Sequence, residues 1–178
     1  YRYRARFDEK RFRLAARIGM IELVRSGCTT IADHNYVYYP DMPFDSSAIL
    51  FEEAQKLGVR FVLLRGGATR TRQLEAGLPT AMRPESIDAF MSDLQRLASS
   101  FHDASPHSMR RVVAAPTTVL FSVSPAEMRS IAGEARRLGG DVVMLHRGRI
   151  VETGAAASFF DRPQTAEAKT FLAGELLV

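Results

Sequence analysis

Residues 46–67 read SSAILFEEAQKLGVRFVLLRGG, and this stretch decides the fold. Its first half has apolar residues at helical spacing, namely Ile49, Leu50, Ala54 and Leu57. We therefore predict a helix over Ser46–Leu57 that Gly58 ends. Val59 to Leu64 then form a continuous apolar run of strand length, as in a parallel strand buried on both faces. A helix followed directly by a buried strand is half of a parallel α/β unit.

The same helix–strand unit recurs on both sides of this stretch. A helix from Asp8 to Arg25, with an apolar face of Leu14, Ile18, Ile21 and Val24, precedes a strand at Thr29–Asp33. After a polar loop, the pattern predicts a helix at Pro84–Phe101, a strand at Arg110–Ala115, and a helix from the N-cap Ser124 to Leu138. Such alternation predicts an α/β fold with a parallel sheet and right-handed crossovers.

The last forty or so residues break this alternation. Two short apolar runs, Asp141–Leu145 and Arg149–Glu152, flank His146-Arg147-Gly148 and predict a tight β-hairpin. Two short helical stretches follow, around Ala155–Phe160 and Thr165–Leu177. Because a hairpin does not continue a parallel α/β series, we predict two domains, residues 1–140 and 141–178.

Composition and charge exclude several classes of function. The chain is 46% hydrophobic and 25% charged, as in globular proteins, and no apolar run approaches the roughly 18 residues that cross a bilayer. The net charge of +4 comes from basic residues interspersed with acidic ones, and nucleic-acid motifs are missing, so we expect no nucleic-acid partner and no membrane insertion. A single cysteine, Cys28, allows no internal disulfide and favours the reducing cytoplasm.

Four segments resemble the amidohydrolase superfamily in the order in which that family has them. Residues 26–36, SGCTTIADHNY, resemble its second strand and the following loop. The others are residues 61–70 (FVLLRGGATR), 101–106 (FHDASP) and 115–124 (APTTVLFSVS). Together they cover roughly residues 1–140, and the similarity is greatest to cytosolic aminohydrolases of the 8-oxoguanine deaminase and hydroxyatrazine type.

This resemblance implies a (β/α)₈ barrel in which zinc or iron activates a water molecule that hydrolyses a C–N bond of a cyclic amidine. The chain would supply barrel strands two, three and four, an incomplete barrel. By family position, four residues would lie in the substrate pocket: His34, Asn35, Arg65 and Thr117. A purely structural role, capping strand ends or bonding loop backbone, is at least as strong an alternative for each of them.

The family's metal ligands are a His-x-His pair on strand one, single histidines on strands five and six, and an aspartate on strand eight. This sequence has no His-x-His, and His146 falls one residue later than the family's ligand, which would turn it to the opposite face of a strand. His102 and His107 flank a loop that we predict to lie on the surface. We therefore expect no catalytic residue, no metal site and no cofactor in this chain, and an inactive hydrolase fragment.

The tail resembles a different family. Residues 141–154 (DVVMLHRGRIVETG), 159–163 (FFDRP) and 171–177 (FLAGELL) are similar to the C-terminus of ABC importer ATPases of the tungstate and phosphate branch. No phosphate-binding loop of the Gly-x-x-x-x-Gly-Lys-Ser/Thr type occurs, so we expect no ATP binding. The sequence thus reads as a splice of two protein pieces.

Two further functions stay open. One is a non-catalytic binding module that self-associates through exposed strand edges, whose unpaired N–H and C=O groups recruit other chains. The other is a remnant of an ABC transporter ATP-binding protein, although transporter subunits are not expected as partners.

Overall fold

The computed structural model describes residues 6–70, 80, 83–117 and 122–173. The chain divides into two compact units, Tyr1–Glu134 and Ala135–Val178, called the first and second unit below. The helices and strands are α1 Glu9–Arg25, β1 Thr30–Asn35, α2 Ser46–Leu57, β2 Arg60–Arg65, α3 Ile87–Phe101, β3 Arg110–Ala114, α4 Pro125–Leu138, β4 Asp141–His146, β5 Arg149–Ala155, α5 Ala156–Asp161 and α6 Ala166–Leu172. Every element predicted from the sequence is present, within a few residues of its predicted bounds. Residues 174–177 of the last predicted helix lie outside the described residues.

In the first unit, β1, β2 and β3 form a parallel sheet in that order. Ile31 lies opposite Phe61, and Leu63 lies opposite Val112. These four side chains are buried on the face that α2 and α3 cover, where Phe51 packs against Phe61 with ring centroids 5.3 Å apart. The predicted α/β fold with a parallel sheet is therefore confirmed.

The opposite face of this sheet is much less covered. Ala32, His34 and Val113 are exposed there, and Val62 and Leu64 are half-buried. Parallel sheets normally have both faces covered, and in a barrel this second face would point to the interior. Three strands with one uncovered face are what a segment of a (β/α)₈ barrel would present.

The buried face of α1 differs from the predicted one. Leu14, Ile18, Ile21 and Val24 are exposed by 55%, 53%, 37% and 38%, whereas the buried residues of α1 are Phe12 and Met20. We call the four exposed residues the α1 stripe. The predicted helix is therefore present, but its apolar face is not the face that the unit buries.

The reason lies in a buried carboxylate on α2. Glu53 accepts hydrogen bonds from Arg17 Nε at 2.6 Å, Lys56 Nζ at 2.8 Å and Arg13 Nη1 at 3.1 Å. The bond from Arg17, together with those from Lys56 and Arg13, outweighs desolvation and lowers the pKa of Glu53 to about 2. A buried charge needs such partners, so the arginine side of α1 lies against α2 and the α1 stripe is turned elsewhere.

The second unit is an antiparallel β4–β5 hairpin with helices on one side, as predicted. Arg147 and Gly148 at its turn have positive φ angles of 48° and 76°, as a two-residue hairpin turn with type I′ geometry requires. Met144, Phe159 and Ala168 form its buried cluster. Within the described part of the chain, no helix is long and apolar enough to cross a membrane.

Candidate functional site

The loops that follow β1, β2 and β3 meet at the carboxyl end of the sheet, where α/β proteins place their ligands. His34 and Asn35 end β1, Arg65 ends β2, and Thr117 lies three residues beyond β3. The structure thus brings all four predicted site residues to one edge of the sheet, which we call the C-terminal edge.

Hydrogen bonds join the three loops to one another. Gly66 N donates to Asn35 O at 2.8 Å, and Ala115 N donates to Arg65 O at 2.9 Å. Gly67 and Thr117 are joined twice, by Thr117 N to Gly67 O at 2.8 Å and by Gly67 N to Thr117 Oγ1 at 3.2 Å. The C-terminal edge is therefore a connected network and not three independent loops.

His34 and Thr117 are the solvent-accessible members of this network. His34 is exposed, and its Nε2 lies 2.9 Å from Ala115 O. Because a carbonyl oxygen only accepts, this bond places the proton on Nε2 and leaves Nδ1 as an acceptor in the neutral ring. The half-buried Thr117 presents its hydroxyl beside the Gly67 amide. Both side chains have polar atoms suited to a heterocycle's ring nitrogens and exocyclic oxygens.

Asn35 is buried and holds the loop that follows β1. Its Nδ2 donates to Ser46 Oγ at 2.9 Å, and its Oδ1 accepts from Val37 N at 3.1 Å. Ser46 is the first residue of α2. Asn35 therefore fixes the loop against the start of α2, and both ends of its side chain are engaged by the protein.

Arg65 is 1% exposed and its guanidinium is enclosed by protein groups. Nη1 and Nη2 donate to the two carboxylate oxygens of Glu85 at 2.6 and 2.7 Å, and Nε donates to Asp93 Oδ2 at 3.1 Å. The rings of Tyr38 and Phe90 lie 3.8 and 4.3 Å from the guanidinium carbon. We call this arrangement the Arg65 clamp.

The electrostatics of the clamp favour a permanent charge on Arg65. Burial lowers the pKa of Arg65, but the hydrogen bonds and negative charge of Glu85 outweigh it, so the pKa is raised overall. Burial also raises the pKa of Tyr38 to about 12. The clamp is thus a compensated ion pair, and it holds the backbone at its surface, since Arg65 Nη1 also donates to Gly66 O at 2.8 Å.

The two glycines after Arg65 are required by close packing. A Cβ atom on Gly66 would lie 2.6 Å from Asn35 O, and Gly67 has φ of 126° with its missing Cβ directed at the Glu85 carboxylate. Only glycine allows this backbone to lie between the clamp and the neighbouring loops.

Glu85, Asp93 and Tyr38 belong to the site but were not predicted. Glu85 lies twenty residues after its partner Arg65 and just before α3. A carboxylate near the start of a helix is common, so it gave no sign of a buried ion pair. The only available signal was Arg65 itself, because an arginine at the end of an apolar strand implies acidic partners.

An open cleft of about 580 Å³ lies beside the clamp. Its walls include Tyr39, Phe44 and the pair Arg96–Asp45, whose Nη1 and Oδ2 atoms are 2.8 Å apart. Arg65, Glu85 and Asp93 also line it. The cleft is aromatic on one side, and its two arginines are both paired with carboxylates.

Within residues 6–70, 80, 83–117 and 122–173, no group of three or more histidine, cysteine, aspartate or glutamate side chains could hold a metal ion. The ring of His102, predicted to lie on a surface loop, is instead half-buried against β3, with Nδ1 accepting from Val112 N at 3.1 Å. Among its described residues, the C-terminal edge offers groups for binding and positioning.

Comparison with known proteins identifies the origin of this edge. The chain is 76% identical over 139 residues to isoxanthopterin deaminase from an unknown prokaryotic organism, a match that covers 78% of this chain and 29% of that protein. It also matches the crystal structure of an amidohydrolase from an environmental sample of the Sargasso Sea, with a TM-score of 0.74 and 76% identity over 76% of this chain and 32% of that one. Most of this chain is an amidohydrolase superfamily fragment. The predicted resemblance to this superfamily is therefore confirmed.

One further relative agrees with this assignment, and one solved structure shares the fold. Hydroxydechloroatrazine ethylaminohydrolase from Pseudomonas sp. strain ADP is 41% identical over 130 residues, 72% of this chain and 26% of that protein. The fold, at 23% identity and a TM-score of 0.65, is shared with a crystal structure of a mutant atrazine chlorohydrolase from Arthrobacter aurescens TC1 in complex with zinc and atraton.

These matches cover most of this chain but only a small part of each relative. The chain spans less than a third of the length of these amidohydrolases. A match of 139 residues is far longer than the second unit, Ala135–Val178, so it includes most of the first. No family model matches the chain. None of these proteins bears on the tail's resemblance to ABC importer ATPases, which stays a prediction.

Proposed function

We propose that the first unit is the part of a hydrolytic deaminase of cyclic amidines that supplies strands two to four of its barrel and one wall of its substrate pocket. The observation that carries this proposal is the C-terminal edge, where three loops are joined by hydrogen bonds in a chain 76% identical to an isoxanthopterin deaminase. In that reaction water replaces an exocyclic amino group, and ammonia is released.

Within this wall we assign two kinds of role. His34 and Thr117 contact the heterocycle, because both are accessible and carry polar atoms at the surface of the edge. Asn35 and Arg65 are positioning residues, since their side chains are buried and bonded to protein groups. The roles first predicted for all four as substrate-binding residues are thus divided between contact and support.

The isolated chain is proposed to be inactive as a hydrolase. Its described residues fit no metal ion, and the hydrolytic water of the superfamily depends on a bound metal. Zinc or iron would be held by other parts of the intact barrel. The segment that matches this chain is only 29% of the relative's length.

A chimera tests these roles. The matching segment of isoxanthopterin deaminase is replaced by that of the present chain, and ammonia release from isoxanthopterin is measured with the parent enzyme as reference. We expect kcat/KM within about tenfold of the parent, because a segment 76% identical to the one it replaces should place similar groups at the edge. A folded, metal-loaded chimera with no activity would contradict the proposal.

Variants of the chimera separate contact from support. We expect His34→Ala to lower kcat/KM about tenfold or more, the loss of one hydrogen bond of about 1.5 kcal/mol to the substrate, with thermal stability lowered only by the loss of its exposed bond to Ala115 O. Lys10→Ala, an exposed residue on α1, is the matched control and leaves kcat/KM unchanged. Equal activity of the His34→Ala chimera and its parent would show that His34 does not contact the substrate.

For residues 141–178 we propose descent from the C-terminus of an ABC importer ATPase, with no retained nucleotide chemistry. The hairpin followed by two short helices supports this origin together with the quoted motifs. A single uninterrupted DNA read through the codons for residues 130–150 is expected if the fusion is natural. A break in that read would show that the two pieces do not belong to one gene, and ATP binding to the chain would contradict the loss of function.

A further inference from the structure

Glu85 holds the backbone of three consecutive residues in the turn that follows β2. Its carboxylate pairs with Arg65 at 2.6 and 2.7 Å, and Arg65 Nη1 in turn donates to Gly66 O at 2.8 Å. The carboxylate also occupies the space into which a side chain at Gly67 would project. The backbone N–H of Glu85 donates to Ala68 O at 3.1 Å. Glu85 therefore fixes the segment from Gly66 to Ala68, which we call the glycine turn.

The two accessible residues of the C-terminal edge contact this turn. Gly67 N donates to Thr117 Oγ1 at 3.2 Å, and Thr117 N donates to Gly67 O at 2.8 Å. The ring of His34 lies against Gly66, where a Cβ atom would be only 2.9 Å from the ring's Nε2. Because the Thr117 hydroxyl accepts from Gly67, its own proton is left to donate to a ligand. The positions of both side chains thus depend on the backbone of the glycine turn.

The stability of the first unit does not by itself require an ion pair at this place. Replacement of a buried ion pair by apolar side chains of similar volume is often neutral or stabilising. An apolar pair at positions 65 and 85 could fill the same space, but it could not donate to Gly66 O as Arg65 does. What the charged pair adds is a defined position of the glycine turn.

We propose that Glu85 is a positioning residue of the deaminase's substrate pocket: through Arg65 and the glycine turn, it fixes where Thr117 and His34 meet the heterocycle. This inference rests on the proposed function and extends it to a residue that lies outside the three strand ends. Glu85 is 7% exposed and both of its carboxylate oxygens are bonded to Arg65. Its influence on the substrate is therefore carried by the groups that it positions.

Hydrogen exchange in the full chain of 178 residues tests the step from Glu85 to the turn. The double variant Arg65→Met with Glu85→Leu keeps the space filled, so the Leu63 amide should keep its protection within about fivefold. The Gly67 amide, which is bonded to Thr117 Oγ1, should exchange at least about tenfold faster. Thr117→Val removes that acceptor and serves as the reference for loss of this bond. Wild-type protection of Gly67 in the double variant would overturn the proposal.

A milder variant gives the same test if the double variant does not fold. Glu85→Gln has nearly the same shape and keeps one oxygen that accepts from Arg65, but it lacks the charge. We expect exchange at Gly67 to rise by a larger factor than exchange at Leu63, because the turn loosens before the strand opens. An equal rise at the two amides of this variant would overturn the proposal.

The chimera with isoxanthopterin deaminase tests the step from the turn to the substrate. We expect the double variant at positions 65 and 85 to lower kcat/KM about tenfold or more. In a Thr117→Val background it should lower kcat/KM only about threefold, the part that acts through His34, because the other group that it positions is absent. A loss of stability alone would act by the same factor in both backgrounds, so equal factors would overturn the proposal.

Glu52→Gln is the matched control for removal of a charged carboxylate. It breaks an exposed bond of 2.6 Å to Arg13 on the far side of α2 and should leave kcat/KM unchanged in both backgrounds. An active chimera whose kcat/KM survives the double variant would overturn the role of Glu85 alone. A folded, metal-loaded parent chimera without activity would overturn the proposed function, and this role with it.

Discussion

Removal of the carboxylate in Glu85→Ala would leave the buried charge of Arg65, which is 1% exposed, without its main partner. Arg65 loses two hydrogen bonds of 2.6 and 2.7 Å, and Asp93, at 3.1 Å and on the partly exposed side, compensates only in part. Breaking a buried ion pair by removing one partner costs about 3–5 kcal/mol. We expect the lower part of that range, about 3 kcal/mol, because Asp93 and the two rings remain.

The assay is native-state hydrogen exchange at the amide of Leu63, which lies in the central strand of the first unit and reports its opening without contribution from the second. Glu22→Ala is the matched control: its bond to Arg25 is 3.3 Å long and exposed, so we expect a change below about 0.5 kcal/mol. The double variant Arg65→Met with Glu85→Leu should recover most of the loss, since a buried pair can be replaced by apolar groups of similar size. If Glu85→Ala lowers the free energy of opening no more than Glu22→Ala does, the Arg65 clamp does not stabilise the first unit as described.

Three further outcomes follow from the first unit. Glu53 has a folded-state pKa of about 2, below the unfolded value of about 4.3. Its ionised carboxylate therefore contributes fully to the free energy of unfolding above about pH 4.3, and this contribution is lost as the pH falls toward 2. Urea denaturation should therefore show Glu53→Gln as destabilised at pH 7, with a gap to the wild type that closes in acid; a gap independent of pH would contradict this. Burial raises the pKa of Asp33, so stability falls as the pH rises past the unfolded value of about 3.9, and Asp33→Asn should be more stable than the wild type at pH 7 but equal to it near pH 2. Gly66→Ala should cost about 1–3 kcal/mol by overpacking, whereas Gly133→Ala, in an exposed helical position with nothing near its Cβ, should gain about 0.5–1 kcal/mol in thermal denaturation; similar effects of the two would show that the Gly66 backbone can move.

The sequence was sufficient for the elements and for the class of fold. Periodicity located α2 and β2 because Gly58 ends one and an apolar run defines the other, and both are local signals. The same reasoning failed for α1, whose apolar spacing is real but does not decide its orientation. A single buried carboxylate, Glu53 on another helix, decides it, and a contact between residues about forty positions apart leaves no periodic signal.

For the candidate site, the sequence located the residues at the strand ends, but it did not show which of them are accessible and which are buried supports. His34, Asn35, Arg65 and Thr117 do meet at one edge, as their positions after parallel strands require. That Arg65 faces away from the accessible surface follows from Glu85 and Asp93, which come from a loop and a helix that only the fold brings near. The protection of β3 by His102 was likewise hidden, because a histidine in a polar loop has the same appearance whether it caps an edge or lies in solvent.

We propose that this chain has an amidohydrolase's loop edge without the superfamily's metal centre. Elemental analysis of the purified, folded chain of 178 residues, after exposure to zinc or iron and removal of unbound ions, tests it most directly. We expect far less than one metal ion per chain and no protection of the fold by metal. One tightly bound ion per chain, lost together with a histidine or carboxylate of the C-terminal edge, would contradict it.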